Sequence, residues 1–345
     1  MAERPPGPHR HSRGRGDSFF RRFSKTLNRI DSMKRYNILI CGAGAVGGYF
    51  GGKLFKAGFD IVFADLPDRV ETLRKTGLIV KSGNENAYDY KPKIVSSLDG
   101  LPCQDFVLVC VKAYQTYEIA LKLLPVLKPS TILLSLQNGI ENEEVLSQIL
   151  GKSLIMGAVP FFNGRLQTDN CIVQNGPAQL IYGEMDHQQS EREEWVSEIL
   201  SHADIDHTIS RSINIEIWKN FIWNNAFNTI SALTKTTFGQ ILAQAEILST
   251  VRQMMHESQQ VALAEGHEIT NQHIDDIFHI GSRFANLTST MHMDIDLGQM
   301  PEVEALVGVL LKKAKKHGIT AQVNQTIYNL LQLTISARDI RPGIE

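Results

Sequence analysis

The sequence lacks long apolar runs, a strong net charge and paired cysteines. Its 345 residues contain no run of roughly 18 consecutive apolar residues, which excludes an ordinary transmembrane helix. The formal net charge is −2 and 43% of the residues are hydrophobic, which excludes disorder throughout the chain. The four cysteines form no CxxC pair, so buried free thiols are favoured over a disulfide or metal site. These absences predict a globular, cytoplasmic protein with no metal and no membrane contact, and the length predicts about two domains.

The amino terminus is strongly basic. Residues 1–32 carry seven arginines and Lys25 against three acidic residues, a net charge of +5, which leaves −7 for residues 33–345. The stretch is rich in Arg, Pro, Gly and Ser, so residues 1–33 are predicted to form a disordered leader. Its interpretation stays open between nucleic-acid contact, an organelle transit peptide, and an inert tail before a natural start at Met33. The inert tail is favoured, and no nucleic-acid partner is predicted.

A glycine-rich turn joins the first predicted strand to a helix. Residues 37–41 form an apolar run, typical of a strand buried on both faces, which leads directly into a GxGxxG segment. The candidate cofactor-binding residues of this turn are Gly42, Ala43, Gly44, Ala45, Val46 and Gly47. A lone GxGxxG is weak evidence, but here an acidic residue, Asp65, ends the next strand, 18 residues after Gly47. This context predicts a dinucleotide-binding, Rossmann-type doubly wound sheet over residues 34–208.

Asp65 bears on the choice of dinucleotide. A carboxylate at the end of the second strand accepts hydrogen bonds from a ribose 2′-hydroxyl and repels a 2′-phosphate. Arg69 and Arg74 follow closely and partly offset that repulsion. The residues favour NADH, and NADPH stays open.

Two later strands end in polar residues. Residues 106–111 lead to Lys112, and residues 131–136 lead to Asn138. Ligands bind outside the carboxyl ends of parallel strands, so both side chains are predicted to lie at the cofactor site, with ordinary loop polarity as the alternative. Residues 154–159 and 171–183 predict further strands, the second with Asn175 and Gly176 as a hairpin turn.

The second half of the chain, residues 209–338, shows helical spacing. Further helices are predicted over residues 241–265, 271–287 and 301–317, after a first helix over 211–233. That first helix carries a row of polar residues four apart, and such spacing places them near one face. The row consists of Glu216, Asn220, Asn224 and Asn228. Asparagine is expensive to bury unpaired, so we expect the row to face a polar ligand or, as the less favoured alternative, a neighbouring backbone.

Seven ordered segments resemble the ketopantoate reductase (2-dehydropantoate 2-reductase) family, over roughly residues 36–330. They are GAGAVGG at 42–48, KAYQT at 112–116, LQNG at 136–139, IWKNFIWNNAFNTISALT at 217–234, STMHMD at 289–294, PEVEALVG at 301–308 and KKHGI at 315–319. The resemblance implies a Rossmann domain followed by an all-helical domain, with the active site between them. It also implies reduction of 2-dehydropantoate to (R)-pantoate, usually with NADPH.

The resemblance assigns roles to individual residues. It implies that Glu302 is a catalytic carboxylate facing the substrate hydroxyl, and that Asn138 lies beside the nicotinamide. It implies a small 2-oxo acid substrate that contacts Asn224 and Asn228, with Ser289 and Thr290 near its carboxylate. Asn220 is a candidate substrate-binding residue because it belongs to the same polar row.

The proton donor departs from the family pattern. The family places its catalytic lysine four residues before the first substrate asparagine, where this chain has Asn220; a lysine, Lys219, stands one residue earlier. One residue turns an α-helix by about 100°, which aims Lys219 away from Asn224. Lys219 is the predicted catalytic lysine, and Lys112 is its competitor.

The resemblance and the residues that depart from it leave three functions open. The leading hypothesis is reduction of 2-dehydropantoate, on the route to pantothenate and coenzyme A. An NAD-dependent dehydrogenase of another branched (R)-2-hydroxy acid, such as a mandelate-type substrate, is the second, because of Asp65. A non-catalytic dinucleotide-binding redox sensor is the third, because of the displaced lysine. The sequence does not reveal the oligomeric state, and a homodimer stays open.

Overall fold

The computed structural model describes residues 36–338, apart from Asn84, Ser282 and Arg283. The predicted leader, residues 1–33, lies outside the described residues. None of the helices in the described part of the chain combines the length and the apolar composition that a bilayer crossing requires.

Ten strands of the described residues form one mixed sheet in the order β4-β3-β9-β8-β7-β6-β1-β2-β5, with β10 paired to β9. The strands are β1 Ile38–Cys41, β2 Ile61–Ala64, β3 Leu78–Ser82, β4 Glu85–Tyr90, β5 Lys93–Val95, β6 Phe106–Val109, β7 Ile132–Ser135, β8 Ile155–Thr168, β9 Cys171–Gly183 and β10 Asp206–Ile209. All neighbours from β5 to β8 are parallel. After β1 the chain adds β2 and β5 on one side, and it then returns to add β6 and β7 on the other side. The strand order therefore reverses between β1 and β6, which is the kind of switch point where open α/β sheets bind ligands. The predicted Rossmann-type fold is confirmed.

The central strands are buried on both faces. In β1, Ile38 and Ile40 belong to one apolar core while Leu39 and Cys41 belong to another. Successive strand residues point to opposite faces, so this alternation requires a helical layer on each side of the sheet. Helices α1 (Ala45–Lys56), α2 (Pro67–Thr76) and α5 (Glu191–His202) cover the first face, and α3 (Thr116–Leu123) and α4 (Asn142–Leu150) cover the second.

The hairpin formed by β8 and β9 corrects one prediction. Asn175 and Gly176 do not form its turn, because they lie inside β9 beside an irregularity in the pairing with β8. The chain turns instead at Asp169 and Asn170, between the paired residues Thr168 and Cys171. A turn dipeptide serves equally well at a bulge, where the backbone also leaves regular pairing.

The second half of the chain is helical, as predicted. Its elements are α6 Ile213–Trp223, a π-helical segment Asn224–Asn228, α7 Thr229–Thr234, α8 Phe238–Leu242, α9 Ala245–Ala264, α10 Asn271–Gly281, α11 Thr290–Asp296, a second π-helical segment Glu304–Gly308, α12 Val309–Lys316 and α13 Gln322–Ala337. We call the two π-helical segments π1 (224–228) and π2 (304–308). The predicted helix over 211–233 is therefore interrupted by a wider turn at its asparagines.

The two halves meet through an apolar cluster. Val159 of β8 packs with Ile213 and Ile217 of α6, and Ile140 of the loop after β7 joins them. Because α6 also leads into π1, this cluster places the asparagine row beside the end of β7.

A buried glutamate from one helix caps another. Glu257 of α9 is 4% exposed, and its carboxylate accepts hydrogen bonds from the backbone N–H groups of Val323 and Asn324 and from the Asn324 side chain. Ala321, at the start of α13, has no side chain able to cap that helix. Glu257 therefore satisfies donors that the helix end leaves open, and its negative charge matches the helix dipole.

Glu257→Ala is expected to lower the free energy of unfolding by about 2–4 kcal/mol, because unpaired buried donors are costly. Urea denaturation at neutral pH measures the loss. Glu246→Ala, at an exposed position of the same helix, is the matched control and is expected to change little. Equal losses in the two variants would show that Glu257 does not cap α13.

Candidate active site

The glycine turn follows β1 directly. Gly42 has a backbone φ of +101°, a conformation that favours glycine, and its N–H donates to the Ala64 carbonyl at 2.8 Å. Helix α1 then begins with Gly44 as its N-cap, with no side-chain cap and no acidic residue in the first turn. The first N–H groups of this helix therefore offer an anion-binding end of the kind that holds a pyrophosphate.

Gly44 and Gly47 differ in what surrounds them. A Cβ atom added to Gly44 would meet no atom within 4 Å, whereas one added to Gly47 would lie 2.0 Å from the Gly42 carbonyl oxygen. Gly47 thus serves the close packing of the turn itself, and Gly44 leaves open space in front of the helix end. Ala45 and Val46 are half-buried beside that space, and Ala43 is buried below it. This open cradle fits a dinucleotide phosphate.

Asp65 lies against the turn. Its carboxylate accepts hydrogen bonds from the N–H groups of Ala43, at 2.7 Å, and Leu66, at 2.8 Å. The guanidinium of Arg69 donates to the Ala43 carbonyl at 3.0 Å and also to the Asp169 carbonyl. Burial lowers the pKa of Arg69, while Asp65 and Asp169 oppose that shift. Asp65 and Arg69 therefore hold both polar groups of Ala43, where the ribose side of a dinucleotide would lie.

Arg74 takes no part in this arrangement. Its guanidinium donates to the Ile94 carbonyl of β5 at 3.1 Å. Of the two arginines that follow Asp65, Arg69 lies at the glycine turn and Arg74 is bonded to the edge strand of the sheet.

A second group of polar residues lies at the ends of β6 and β7. The Glu302 carboxylate accepts hydrogen bonds from the Ala113 N–H at 2.8 Å and from the Asn138 Nδ2 at 3.2 Å, and it lies 3.8 Å from the Lys112 Nζ. Glu302 is 8% exposed and immediately precedes the helical turn that contains π2. The structure thus brings together Lys112, Asn138 and Glu302, three residues chosen from separate parts of the sequence.

Asp294 joins this cluster. The Lys112 Nζ lies 2.7 Å from the Asp294 Oδ2, and the Asp294 side chain is 12% exposed. Burial alone would lower the pKa of Lys112, but the carboxylates of Glu302 and Asp294 outweigh it and raise that pKa. Burial raises the pKa of Asp294, and Lys112 opposes this. Lys112 therefore remains a positively charged ammonium at neutral pH, held between two carboxylates.

Asn224 and Asn228 continue the cluster into the helical half. The Asn224 Nδ2 donates to the Asn138 Oδ1 at 3.2 Å, and the Asn228 Nδ2 donates to the Asn224 Oδ1 at 2.9 Å. Both asparagines are buried in π1. Asn220, one turn earlier, is half-buried, and its side chain makes no hydrogen bond within the described residues. π-helical turns are frequent at functional sites.

Ser289 and Thr290 lie at the start of α11. The Ser289 hydroxyl donates to the Asn228 carbonyl at 3.0 Å and accepts from the His292 N–H at 3.0 Å, so it fixes α11 against π1. Thr290 is exposed. Asp294 lies four residues further along α11, and that spacing places it on the same face as Thr290.

Lys219 is not brought to the cluster. Its Nζ lies 3.0 Å from the Glu216 Oε2, on the same helix. The helix is regular up to Trp223, and the wider turn begins only at Asn224. The π turn therefore does not redirect Lys219 towards the asparagines.

The sequence reasoning missed Asp294 and Tyr114. Asp294 stands at the end of the STMHMD segment, and its position one helical turn after Thr290 is the signal that could have identified it. Burial raises the pKa of the Tyr114 hydroxyl, with Lys112, Glu302 and Asp294 all close enough to act on it. Tyr114 is 57% exposed and follows Lys112 by two residues, which places it at the rim of the cluster.

Both halves of the chain resemble known proteins. Residues 38–187 match the family described as "Ketopantoate reductase PanE/ApbA", and residues 212–334 match its C-terminal counterpart. The chain is 31% identical to the 2-dehydropantoate 2-reductase of Archaeoglobus fulgidus, over 87% of this chain and 98% of that protein.

Solved structures share the fold. A PanE/ApbA family ketopantoate reductase from Ralstonia eutropha superposes with a TM-score of 0.80 at 26% identity, covering 88% of this chain and 99% of that one. A D-mandelate dehydrogenase with NADH and anilino(oxo)acetate superposes with a TM-score of 0.82 at 20% identity, covering 88% and 100%. At that identity the second likeness concerns the fold alone.

Gly44→Val is expected to weaken NADH and NADPH binding by about 100-fold or more, because the branched side chain would fill the open cradle. Its melting temperature should stay close to that of the wild type. Isothermal titration and thermal unfolding measure the two quantities.

Gly47→Ala provides the contrast, since its Cβ would collide with the Gly42 carbonyl oxygen. We expect this variant to lose stability as well as binding. Unchanged dinucleotide affinity in Gly44→Val would remove the cofactor assignment.

Proposed function

The chain belongs to the ketopantoate reductase family of oxidoreductases, and we propose that it reduces 2-dehydropantoate to (R)-pantoate with a nicotinamide dinucleotide. This reaction would place it on the route to pantothenate and coenzyme A. The supporting observation is the cluster of Lys112, Asn138, Asn224 and Glu302 at the switch point of the sheet, beside the glycine turn, in which Asn224 and Glu302 are buried.

We propose that Lys112 donates the proton. When held at the glycine turn, a reduced dinucleotide would supply a hydride for the carbonyl carbon, and the carbonyl oxygen would gain negative charge. That oxygen needs a positioned acid, and an ammonium is a stronger acid than the alcohol that forms. Lys112 is charged, points into the cluster and is held in place by Asp294.

The geometry favours Lys112 over Lys219 in this role. Lys219 is paired with Glu216 on its own helix, and no contact joins it to Glu302 or to the asparagines within the described residues. Lys112 lies 3.8 Å from the Glu302 Oε2. Asn220, at the family's usual lysine position, would then act as an uncharged hydrogen-bonding group for the substrate.

The remaining residues of the cluster would hold the substrate. Glu302, oriented by Ala113 and Asn138, would accept a hydrogen bond from the substrate hydroxyl. The amides of Asn224 and Asn228 already form a chain of hydrogen bonds that ends at Asn138, and a bound 2-oxo acid would take over some of these bonds. Thr290 has an exposed hydroxyl for the substrate carboxylate, whereas Ser289 would act mainly by fixing α11.

Asp65 supports a second candidate, an NAD-dependent dehydrogenase of another branched (R)-2-hydroxy acid. A screen of 2-oxo acids with both cofactors, followed by NAD(P)H absorbance, separates the two activities. Turnover of 2-dehydropantoate in clear preference to bulkier 2-oxo acids is the expected result. Cofactor binding without turnover of any 2-oxo acid would favour the redox sensor instead. The homodimer stays a prediction.

Lys112→Ala is expected to lower kcat by about 10²–10⁴-fold, the usual loss for a missing general acid. Lys219→Ala is the matched control and is expected to stay within a few-fold of the wild type. Steady-state kinetics on folded protein, with thermal unfolding as a check, compare the two.

If Lys112→Ala kept wild-type activity and Lys219→Ala lost it, Lys219 would be the proton donor. If both variants kept the wild-type kcat, the proton donor would be water or Glu302.

Wild-type protein is expected to use NADH at least as well as NADPH, because the Asp65 carboxylate would repel a 2′-phosphate. Asp65→Arg should shift the preference towards NADPH, as measured by kcat/KM with each cofactor. Asp65→Asn keeps one oxygen to accept the Ala43 N–H but removes the charge, so a smaller shift is expected. A hundredfold wild-type preference for NADPH would contradict this role of Asp65 and point to Arg69.

A further inference from the structure

A ring of hydrogen bonds, closed through covalent bonds of the residues that it joins, connects the two π-helical segments. The Asn224 Nδ2 donates to Asn138, and the Asn138 Nδ2 donates to the Glu302 carboxylate. The Glu302 carbonyl then accepts from the Leu306 N–H at 3.1 Å, and the Leu306 carbonyl accepts from the Asn225 Nδ2 at 2.9 Å. Asn225 is covalently joined to Asn224, so the ring closes on the residue from which it began.

Asn225 is the link between π1 and π2 in this ring. It is 0% exposed, and its Oδ1 accepts a hydrogen bond from the Ser258 hydroxyl of α9 at 3.2 Å. The oxygen and the nitrogen of its amide thus each have a partner, although the Ser258 hydroxyl also lies 2.9 Å from the Met254 carbonyl. A buried backbone carbonyl needs a donor, and Asn225 supplies one to Leu306.

π2 is also held from its other side. A Cβ atom added to Gly139 would lie 3.3 Å from the Ala305 carbonyl oxygen, so the loop after β7 approaches π2 closely. Gly139 adjoins Asn138, the residue that bridges Asn224 and Glu302. π2 thus lies between the loop after β7 and the Asn225 amide.

We propose that Asn225 is a positioning residue that sets the separation between the Glu302 carboxylate and the amides of Asn224 and Asn228. It touches neither the substrate nor the cofactor, and it acts through π2. The inference rests on the proposed function of these three residues. If the Asn225 bond opens, π2 is free to shift, and Asn138 can no longer satisfy Glu302 and Asn224 together.

Asn225→Asp tests this role with little change in side-chain volume. The substitution keeps an oxygen for Ser258 but replaces the Nδ2 donor with an oxygen that faces the Leu306 carbonyl. We expect kcat to fall by about 10- to 100-fold at pH 8, the size of loss that a small misplacement of a reacting group causes. The dinucleotide Kd should stay unchanged.

The pH profile of kcat, measured at pH values where thermal unfolding shows the variant to be fully folded, provides a readout that a merely structural role would not move. At acidic pH the introduced carboxyl group takes up a proton and regains a donor for Leu306. The ratio of variant to wild-type kcat should therefore rise as the pH falls from 8 to about 5.

Ser258→Ala is the matched control. It removes the other hydrogen bond of the same amide but leaves the bond to Leu306, so its kcat should stay within twofold of the wild type. Asn225→Ala is a second variant, which removes the amide donor without introducing a carboxyl group, and it should show a loss of kcat without the pH dependence.

A double-mutant cycle shows whether Asn225 acts through Glu302. In a Glu302→Gln background the added Asn225→Asp substitution should cost less than twofold in kcat. The proposal would be overturned if the losses from Glu302→Gln and Asn225→Asp were additive. It would also be overturned by a wild-type kcat in both Asn225 variants, or by failure of both variants to fold. A wild type that reduces no 2-oxo acid would count against the proposed function as well, which distinguishes the two failures.

Discussion

The buried carboxylate of Glu302 is the constraint on which the site depends. A charge taken out of water is tolerated only when hydrogen-bond donors or an opposite charge replace the solvent. Glu302 belongs to the helical half, but the donors to its carboxylate, Ala113 and Asn138, and its nearest cation, Lys112, all follow strands of the sheet. Burial of this one side chain therefore requires the two halves to meet at the ends of β6 and β7, next to the glycine turn.

Irregular backbone on the helical side makes that meeting possible. The asparagines that reach towards the sheet lie in π1, and the helix that follows Glu302 begins with π2. Wider helical turns leave carbonyl groups outside the regular bonding pattern, and here side chains supply the donors. The Thr229 hydroxyl donates to the Asn225 carbonyl, and the Asn225 amide donates to the Leu306 carbonyl. The bonds that stabilise these turns are thus also the bonds that orient the polar groups of the site.

Local patterns in the sequence predicted much of this arrangement. The glycine turn and Asp65 depend on neighbours within one strand–turn–helix unit, and they lie in the structure where that unit requires. Lys112 and Asn138 were predicted from strand ends alone, because parallel strands bring their carboxyl ends to one edge. The dipeptide Asn175–Gly176 was assigned wrongly because turn residues also suit a bulge, and only the pairing of β8 with β9 distinguishes the two.

The sequence by itself determined the two-part fold, the position of the glycine turn and the spacing of the asparagines, since each follows from periodicity or local backbone geometry. Only the tertiary structure decided which lysine faces Glu302. Lys112 and Asp294 are 182 residues apart in the chain, yet their side chains are 2.7 Å apart. Lys219, the catalytic lysine predicted from the sequence, pairs with Glu216 on its own helix. Contacts across such separations arise from how the two halves pack, and no local pattern encodes them.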